Sequence, residues 1–84
     1  MSKVKKTLEH VLRGTSDANV AFRDLTKLLD ALGFGCHIRG DHYIYHREGL
    51  PEIINLQPIG SKAKAYQVKQ VRNLILKHKL GDKL

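Results

Sequence analysis

The stretch that decides the fold is residues 21–47, which read AFRDLTKLLDALGFGCHIRGDHYIYHR. Its first half, residues 21–32, places large apolar side chains on one side of a helix and charged side chains on the other. Gly33 follows directly and suits the left-handed conformation that ends many helices. The second half holds two short β-favouring runs, residues 34–39 and 42–47, on either side of a Gly-Asp turn signal. The stretch therefore predicts a helix followed by an antiparallel hairpin.

Further elements are predicted on both sides of this stretch. Residues 3–13 have apolar side chains at helical spacing and predict an N-terminal helix. Residues 52–56 predict a third strand, which Pro58 ends. Residues 60–64 form a basic loop, and residues 65–80 predict a final helix. The predicted order is helix, helix, three antiparallel strands, helix.

This order predicts the α+β class, with a three-stranded antiparallel sheet that has helices packed on one face. After the N-terminal helix, the remaining elements run α-β-β-β-α, which is the order of double-stranded-RNA-binding domains. The chain has 84 residues and no clear linker, so residues 1–84 are expected to form a single domain.

The charge of the chain points to an anionic partner. Fifteen Lys and Arg residues against eight Asp and Glu residues give a formal net charge of +7. Such a field favours nucleic acid, an acidic protein or an anionic membrane surface. A domain of this size has little room for a deep pocket, so a polymer lying across the surface is favoured over a small molecule.

The composition also indicates where in the cell the protein is expected. Cys36 is the single cysteine, so the fold has no internal disulfide. No apolar run approaches the ~20 residues that span a bilayer, and no apolar signal region follows the basic N-terminus. We expect a cytoplasmic protein with no membrane partner.

Metal and cofactor chemistry have little support in the sequence. Three of the five histidines lie within residues 37–46, beside Cys36. His42 and His46 are four residues apart on a predicted strand and therefore ~13 Å apart, too far to bind one ion. There is no phosphate-binding or dinucleotide-binding glycine pattern. We expect neither a metal site nor a small-molecule cofactor.

His42 is the strongest candidate for chemistry. It follows Gly40 and Asp41 at the mouth of the hairpin, where a ligand can approach. An imidazole exchanges protons near neutral pH. Cleavage of RNA without a metal needs such a group, either to remove the proton of the 2′-hydroxyl or to protonate the leaving 5′-oxygen. The alternative interpretation is that His42 simply begins a strand.

Several basic and aromatic residues are candidates for RNA contacts. Arg39 and Tyr43 lie on either side of His42. Arg39 can bind a phosphate and Tyr43 can stack on a base. The pattern does not decide which face of the strand is buried. Lysines before the final helix and cations along it offer a further anion-binding surface, unless they form a merely solvated helix face. The predicted RNA-binding residues are Arg39, Gly40, Tyr43, Lys62, Lys64, Lys69 and Arg72.

Residues 25–34 (LTKLLDALGF) followed by residues 39–45 (RGDHYIY) resemble the HicA toxin family. The shared features are an amphipathic helix ending in Gly-Phe, a strand, and a Gly-x-His motif before aromatic and aliphatic residues. Residues 54–58 and 62–72 resemble one branch of that family. The resemblance covers about residues 20–80, the predicted family core. Residues 1–19 are then a helical extension and linker that packs on the domain or contacts a partner.

The resemblance implies a fold like that of double-stranded-RNA-binding domains and the toxin of a toxin–antitoxin pair. It implies an endoribonuclease that acts on mRNA, with the essential histidine at His42, and a HicB-type antitoxin that covers the site. Two positions depart from the commoner motif: Asp41 stands where many members have serine, and Tyr43 where many have a second histidine. The alternative is an RNA-binding module of the same fold that does not cut RNA.

Overall fold

A computed structural model describes residues 3–84 of the chain. It contains three α-helices, five strands and two short 3-10 turns. In chain order these are α1 (Lys3–Arg13), a 3-10 turn (Asp17–Asn19), α2 (Phe22–Ala31), β1 (Gly35–Arg39), β2 (His42–His46), β3 (Ile54–Leu56), β4 (Pro58–Ile59), β5 (Lys62–Ala63), α3 (Ala65–His78) and a 3-10 turn (Leu80–Lys83). The predicted α+β class is confirmed.

The central sheet is antiparallel, in the order β1-β2-β3. Arg39 pairs with His42, so the β1–β2 hairpin has a loop of only two residues. Gly40, the first of them, has φ +60°, as a type II′ hairpin turn requires at that position. The hairpin predicted from the sequence is confirmed, with its turn at Gly40 and Asp41.

The end of α2 directs the chain into β1. The backbone N–H of Phe34 donates to Leu29 O, and that of Gly33 donates to Asp30 O, each at 3.1 Å. Gly33 has φ +89°. These are the two hydrogen bonds and the left-handed residue of a Schellman motif, which satisfies carbonyls that the helix end would otherwise leave unpaired.

One face of the sheet joins the helices in a single hydrophobic core. Tyr45 is 2% exposed, and the half-buried Tyr43 packs edge-on against Phe22 with ring centroids 5.0 Å apart. Burial raises the pKa of Tyr45 well above its ordinary value. The tyrosines therefore face inward, which the sequence pattern left undecided. The fully buried large aliphatic residues of this core are Leu25, Leu28, Leu29, Ile54, Leu56, Ile75, Val11, Val20, Val68 and Val71.

The opposite face of the sheet is open to solvent. Side chains alternate along a strand, and directly paired residues of antiparallel strands share a face. We call this surface the open face. It carries His37 and Arg39 from β1, His42, Ile44 and His46 from β2, and Asn55 from β3.

The segment after β3 differs from the prediction. Residues 60–64 were expected to be a loop, but β4 and β5 form a small antiparallel ribbon that turns at Gly60 and Ser61. β5 also contacts the chain before α2, because Ala63 N–H donates to Val20 O and Phe22 N–H donates to Ser61 O. Strands of two residues are too short to show a period-2 pattern, so no sequence pattern predicts them.

α1 belongs to the same core. Leu8 and Val11 are buried, and α1 packs against both α2 and α3. Arg72 of α3 also donates hydrogen bonds to Val11 O of α1 (3.2 Å) and to Asp17 Oδ1 of the 3-10 turn that follows α1 (2.8 Å). Of the two roles considered for the N-terminal helix, packing on the domain is the one that the structure displays.

Glu52 ties the segment before β3 to the end of α3. Its carboxylate accepts hydrogen bonds from Lys77 Nζ at 2.8 Å and His78 Nε2 at 2.9 Å. The bond from Lys77, helped by His78, lowers the pKa of Glu52 from 4.5 to about 2. A carboxyl group whose pKa is lowered by folding stabilises the fold above its unfolded pKa, and this contribution is lost as the pH falls through the folded value.

Glu52→Gln is therefore expected to lower the Tm at pH 7, and the difference from the native chain should shrink between pH 4.5 and about 2. Thermal melts followed by circular dichroism over this pH range measure the difference. Glu48→Gln, at an exposed position in the turn after β2, is the matched control and should change little. A Tm difference that persists undiminished at pH 2 would contradict the assignment.

Candidate active site

His42 is held at the start of β2 with its imidazole partly in solvent. The side chain is 48% exposed on the open face. Its Nδ1 lies 3.2 Å from Oδ1 of Asn55 on β3. An amide oxygen only accepts hydrogen bonds, so Nδ1 carries the hydrogen in this arrangement. In the neutral ring Nε2 then has the free lone pair and can accept a proton.

Asp41 lies beside that nitrogen, with Oδ1 3.7 Å from His42 Nε2. Its other oxygen accepts a hydrogen bond from Gln57 Nε2 at 2.8 Å. This bond is the largest of the effects that lower the pKa of Asp41, and the charges of His42 and Lys64 act in the same direction. Asp41 is therefore an anion at neutral pH, and it attracts the imidazolium that forms when Nε2 gains a proton.

Gln57 links this pair to a cation. Its Oε1 accepts a hydrogen bond from Lys64 Nζ at 3.2 Å while its Nε2 donates to Asp41. A continuous set of polar contacts thus runs from Lys64 through Gln57 and Asp41 to His42 and Asn55. The turn after β1, the end of β3 and the start of α3 all contribute to it.

A cleft of about 280 Å³ opens next to His42, between β3 and the first half of α3. Most of its lining side chains are neutral and polar. The lining residues are His42, Ile53, Asn55, Gln57, Tyr66, Gln67 and Gln70.

Gln67 is the most deeply buried polar side chain that lines this cleft, with only 1% of its surface exposed. Its amide oxygen accepts from the backbone N–H of Gln57 at 3.0 Å, and its amide nitrogen donates to Gln57 O at 3.2 Å. The reverse amide orientation gives only contacts of 3.4 Å, to Lys64 N and Asn55 O, so the first orientation is preferred. Gln67 thereby joins the end of β3 to α3.

Two of the predicted site residues lie next to His42, and a third is linked to it through other side chains. Arg39 is exposed and is the direct cross-strand partner of His42, so the two side chains are neighbours on the open face. Gly40 forms the turn between them. Lys64 is connected to His42 through Gln57 and Asp41.

Four predicted RNA-binding residues are elsewhere. Tyr43 faces the core side of the sheet, opposite to His42. Lys62 on β5 donates to Asn19 Oδ1 at 3.0 Å. Lys69 lines an adjoining cavity, which shares Tyr66 and Gln70 with the cleft but does not include His42. The guanidinium of Arg72 is occupied by Asp17 and Val11 O, with its side chain only 15% exposed. Arg72 therefore holds the fold together at a distance from the His42 cleft.

Asn55, Gln57, Tyr66 and Gln70 are part of the site but were not singled out from the sequence. The signal for the first two was the alternation of polar and buried apolar residues over 54–57, which places Asn55 and Gln57 on one face. Tyr66 and Gln70 are four residues apart on α3, a spacing that puts them on one helix face. Only the packing of α3 beside β3 brings the two pairs together.

Within residues 3–84, no three His, Cys, Asp or Glu side chains converge as a metal ion would require. Nor does any helix described there combine the length and the apolar character needed to cross a bilayer.

Comparisons of the chain with protein-family models, with curated proteins and with solved structures gave no match.

Proposed function

We propose that the chain is a ribonuclease toxin of the HicA type, which cleaves mRNA without a metal ion and uses His42 for proton transfer. The observation that carries this proposal is the state of the His42 ring. Asn55 binds Nδ1, Nε2 is left as the proton acceptor, and the ring is exposed at a turn beside Arg39. A general acid–base group needs this combination of a defined tautomer and access to substrate.

In the proposed reaction the substrate supplies its own nucleophile. His42 Nε2 accepts the proton of the ribose 2′-hydroxyl while O2′ attacks the adjacent phosphorus. The bond from phosphorus to the 5′-oxygen breaks, that oxygen takes a proton from solvent water, and the His42 imidazolium returns its proton to the solvent, which restores the neutral ring. The products are a 2′,3′-cyclic phosphate and a 5′-hydroxyl end. Asp41 stabilises the imidazolium, and Arg39 is positioned to bind the phosphate oxygens as their charge increases.

The surrounding charge supports an RNA substrate. The net charge of +7 attracts a polyanion, and Lys62, Lys64 and Lys69 are proposed contacts for phosphates beyond the scissile one. The run α2-β1-β2-β3, followed by α3 after the short β4–β5 ribbon, has helices on one face of the central sheet. This arrangement supports the finer assignment to a fold like that of double-stranded-RNA-binding domains. Arg72 and Tyr43 are not proposed as contacts near the cut.

A HicB-type antitoxin is the proposed protein partner, with both proteins in the cytoplasm where mRNA is translated. The chain leaves several large apolar side chains in solvent, including Ile38 (58% exposed), Ile53 (62%) and Ile59 (62%). A partner that covers the His42 site would bury Ile53, which lines the same cleft.

The proposal is tested with an end-labelled RNA oligonucleotide in EDTA and a copy that carries a single 2′-deoxynucleotide at the cut position. We expect cleavage of the first, with a 2′,3′-cyclic phosphate product, and no cleavage at the modified position of the second. Cleavage that does not need the 2′-hydroxyl would contradict the mechanism. RNA that is retained but not cut would instead support the binding module of the same fold.

A further inference from the structure

The cleft beside His42 has a chemical character that suits one class of ligand. Apart from His42, its lining carries four amide side chains, one tyrosine and one isoleucine, and no carboxylate, lysine or arginine. A phosphate would be bound better by cations, which lie outside this lining. Amides supply both donors and acceptors, as the edges of nucleobases require.

We propose that this cleft is a nucleobase subsite, which holds the base of the nucleotide next to the bond that is cut and selects among bases. The inference rests on the proposed function, because it is the reaction at His42 that makes the neighbouring nucleotide a substrate group. The volume of about 280 Å³ admits a single flat ring system rather than a stretch of the polymer.

Tyr66 supplies the stacking surface. It is an aromatic residue left 65% exposed on the first turn of α3, at the edge of the cleft. Ile53, 62% exposed, is the other large apolar side chain in the lining. Unpaired bases stack on exposed aromatic rings in this way, and stacking does not depend strongly on which base is present. We therefore expect Tyr66 to contribute to the affinity for RNA and not to the choice between bases.

Gln70 is the group that can read the base. Asn55 is engaged by His42, Gln57 by Asp41 and Lys64, and Gln67 by the backbone of Gln57. Gln70 is exposed, and its side chain makes no hydrogen bond within the described part of the chain, residues 3–84. Its amide is therefore free to pair with a base edge, one helical turn from Tyr66.

The subsite is tested by binding alone, with 2′-O-methyl homopolymers of adenosine, cytidine, guanosine and uridine, which cannot be cut through O2′. Fluorescence anisotropy is measured for the native chain and its variants. We expect one homopolymer to bind most tightly. Tyr66→Ala should weaken binding of that homopolymer about tenfold, on the scale of one lost base stack. Gln70→Ala should reduce the difference between homopolymers, and Tyr66→Phe should retain the affinity.

Matched controls lie on the same helix. Leu76→Ala removes another exposed apolar side chain (60% exposed) outside the lining of the cleft. Asn73→Ala removes another exposed amide, which lines only the adjoining cavity next to Tyr66 and Gln70 and not the cleft itself. Neither should change affinity or preference. Equal affinities for all four homopolymers in the native chain would overturn the proposal. So would native affinity and preference in both Tyr66→Ala and Gln70→Ala.

The binding test of the subsite and the cleavage test of the ribonuclease proposal can fail independently of each other. If the chain fails to cut RNA but shows a base preference that depends on Gln70 and Tyr66, the subsite stands and the ribonuclease proposal fails. If the chain cuts RNA through His42 while both variants keep native affinity and preference, the ribonuclease proposal stands and the subsite is wrong.

Discussion

His42→Ala is expected to reduce kcat/KM for RNA cleavage by about 10²–10⁴-fold, the range expected for loss of a positioned general acid–base group. No other histidine in residues 3–84 contacts the network of Asp41, Gln57 and Lys64. Alanine at position 42 removes the proton acceptor without disturbing the core, because the ring lies on the open face. Initial rates with a fluorogenic RNA in EDTA give the ratio.

His46→Ala is the matched control for this measurement. His46 is on the same strand and the same face, also exposed, but its ring lies against Gly35 instead of the network. Its rate should remain close to that of the native chain. Circular dichroism should show that both variants are folded. An equal loss of rate in the two variants would indicate a general effect of charge on the open face and would remove the special role of His42.

Arg72→Ala is expected to lower the free energy of unfolding by about 2–3 kcal/mol, somewhat less than the cost of breaking a fully buried ion pair. Its guanidinium holds Asp17 at 2.8 Å and the Val11 carbonyl at 3.2 Å, with side chains only 15% and 21% exposed for Arg72 and Asp17. The variant leaves a largely buried carboxylate without its cation, and it releases the end of α1. Urea denaturation followed by circular dichroism measures the loss.

Two comparisons make this prediction specific. Lys69→Ala, an exposed cation on the same helix, should change the free energy of unfolding by no more than about 0.5 kcal/mol. Asp17→Ala combined with Arg72→Ala should cost less than the sum of the single changes, since the two residues share one interaction. A stable Arg72→Ala chain with weakened RNA binding would restore the interpretation of Arg72 as a phosphate contact.

The elements that the sequence predicted well are those with strong local signals. α2 has a continuous apolar stripe, and Gly33 and Gly40 adopt the positive φ values that their positions in the chain demanded. The hairpin follows from a two-residue Gly-Asp loop between β-favouring runs. These features depend on interactions between residues that are close together in the chain, so the local amino-acid sequence is enough to predict them.

The features that escaped prediction depend on residues far apart in the chain. Arg72 and Asp17 are 55 positions apart, and no local pattern couples them. The inward orientation of Tyr43 follows from packing against Phe22, whereas the strand has apolar residues on both faces. The cleft likewise forms only where α3 lies beside β3, so the role of Tyr66 and Gln70 had no signal in the sequence alone.

The most direct test of the central claim is one cleavage experiment. A long single-stranded RNA is incubated in EDTA with the native chain and, separately, with His42→Ala, and the products are separated by denaturing electrophoresis. We predict fragments with the native chain and intact RNA with the variant, which would establish a metal-independent ribonuclease that depends on His42. Equal fragmentation by both proteins would mean that another group cuts the RNA, and the assignment of His42 would be wrong.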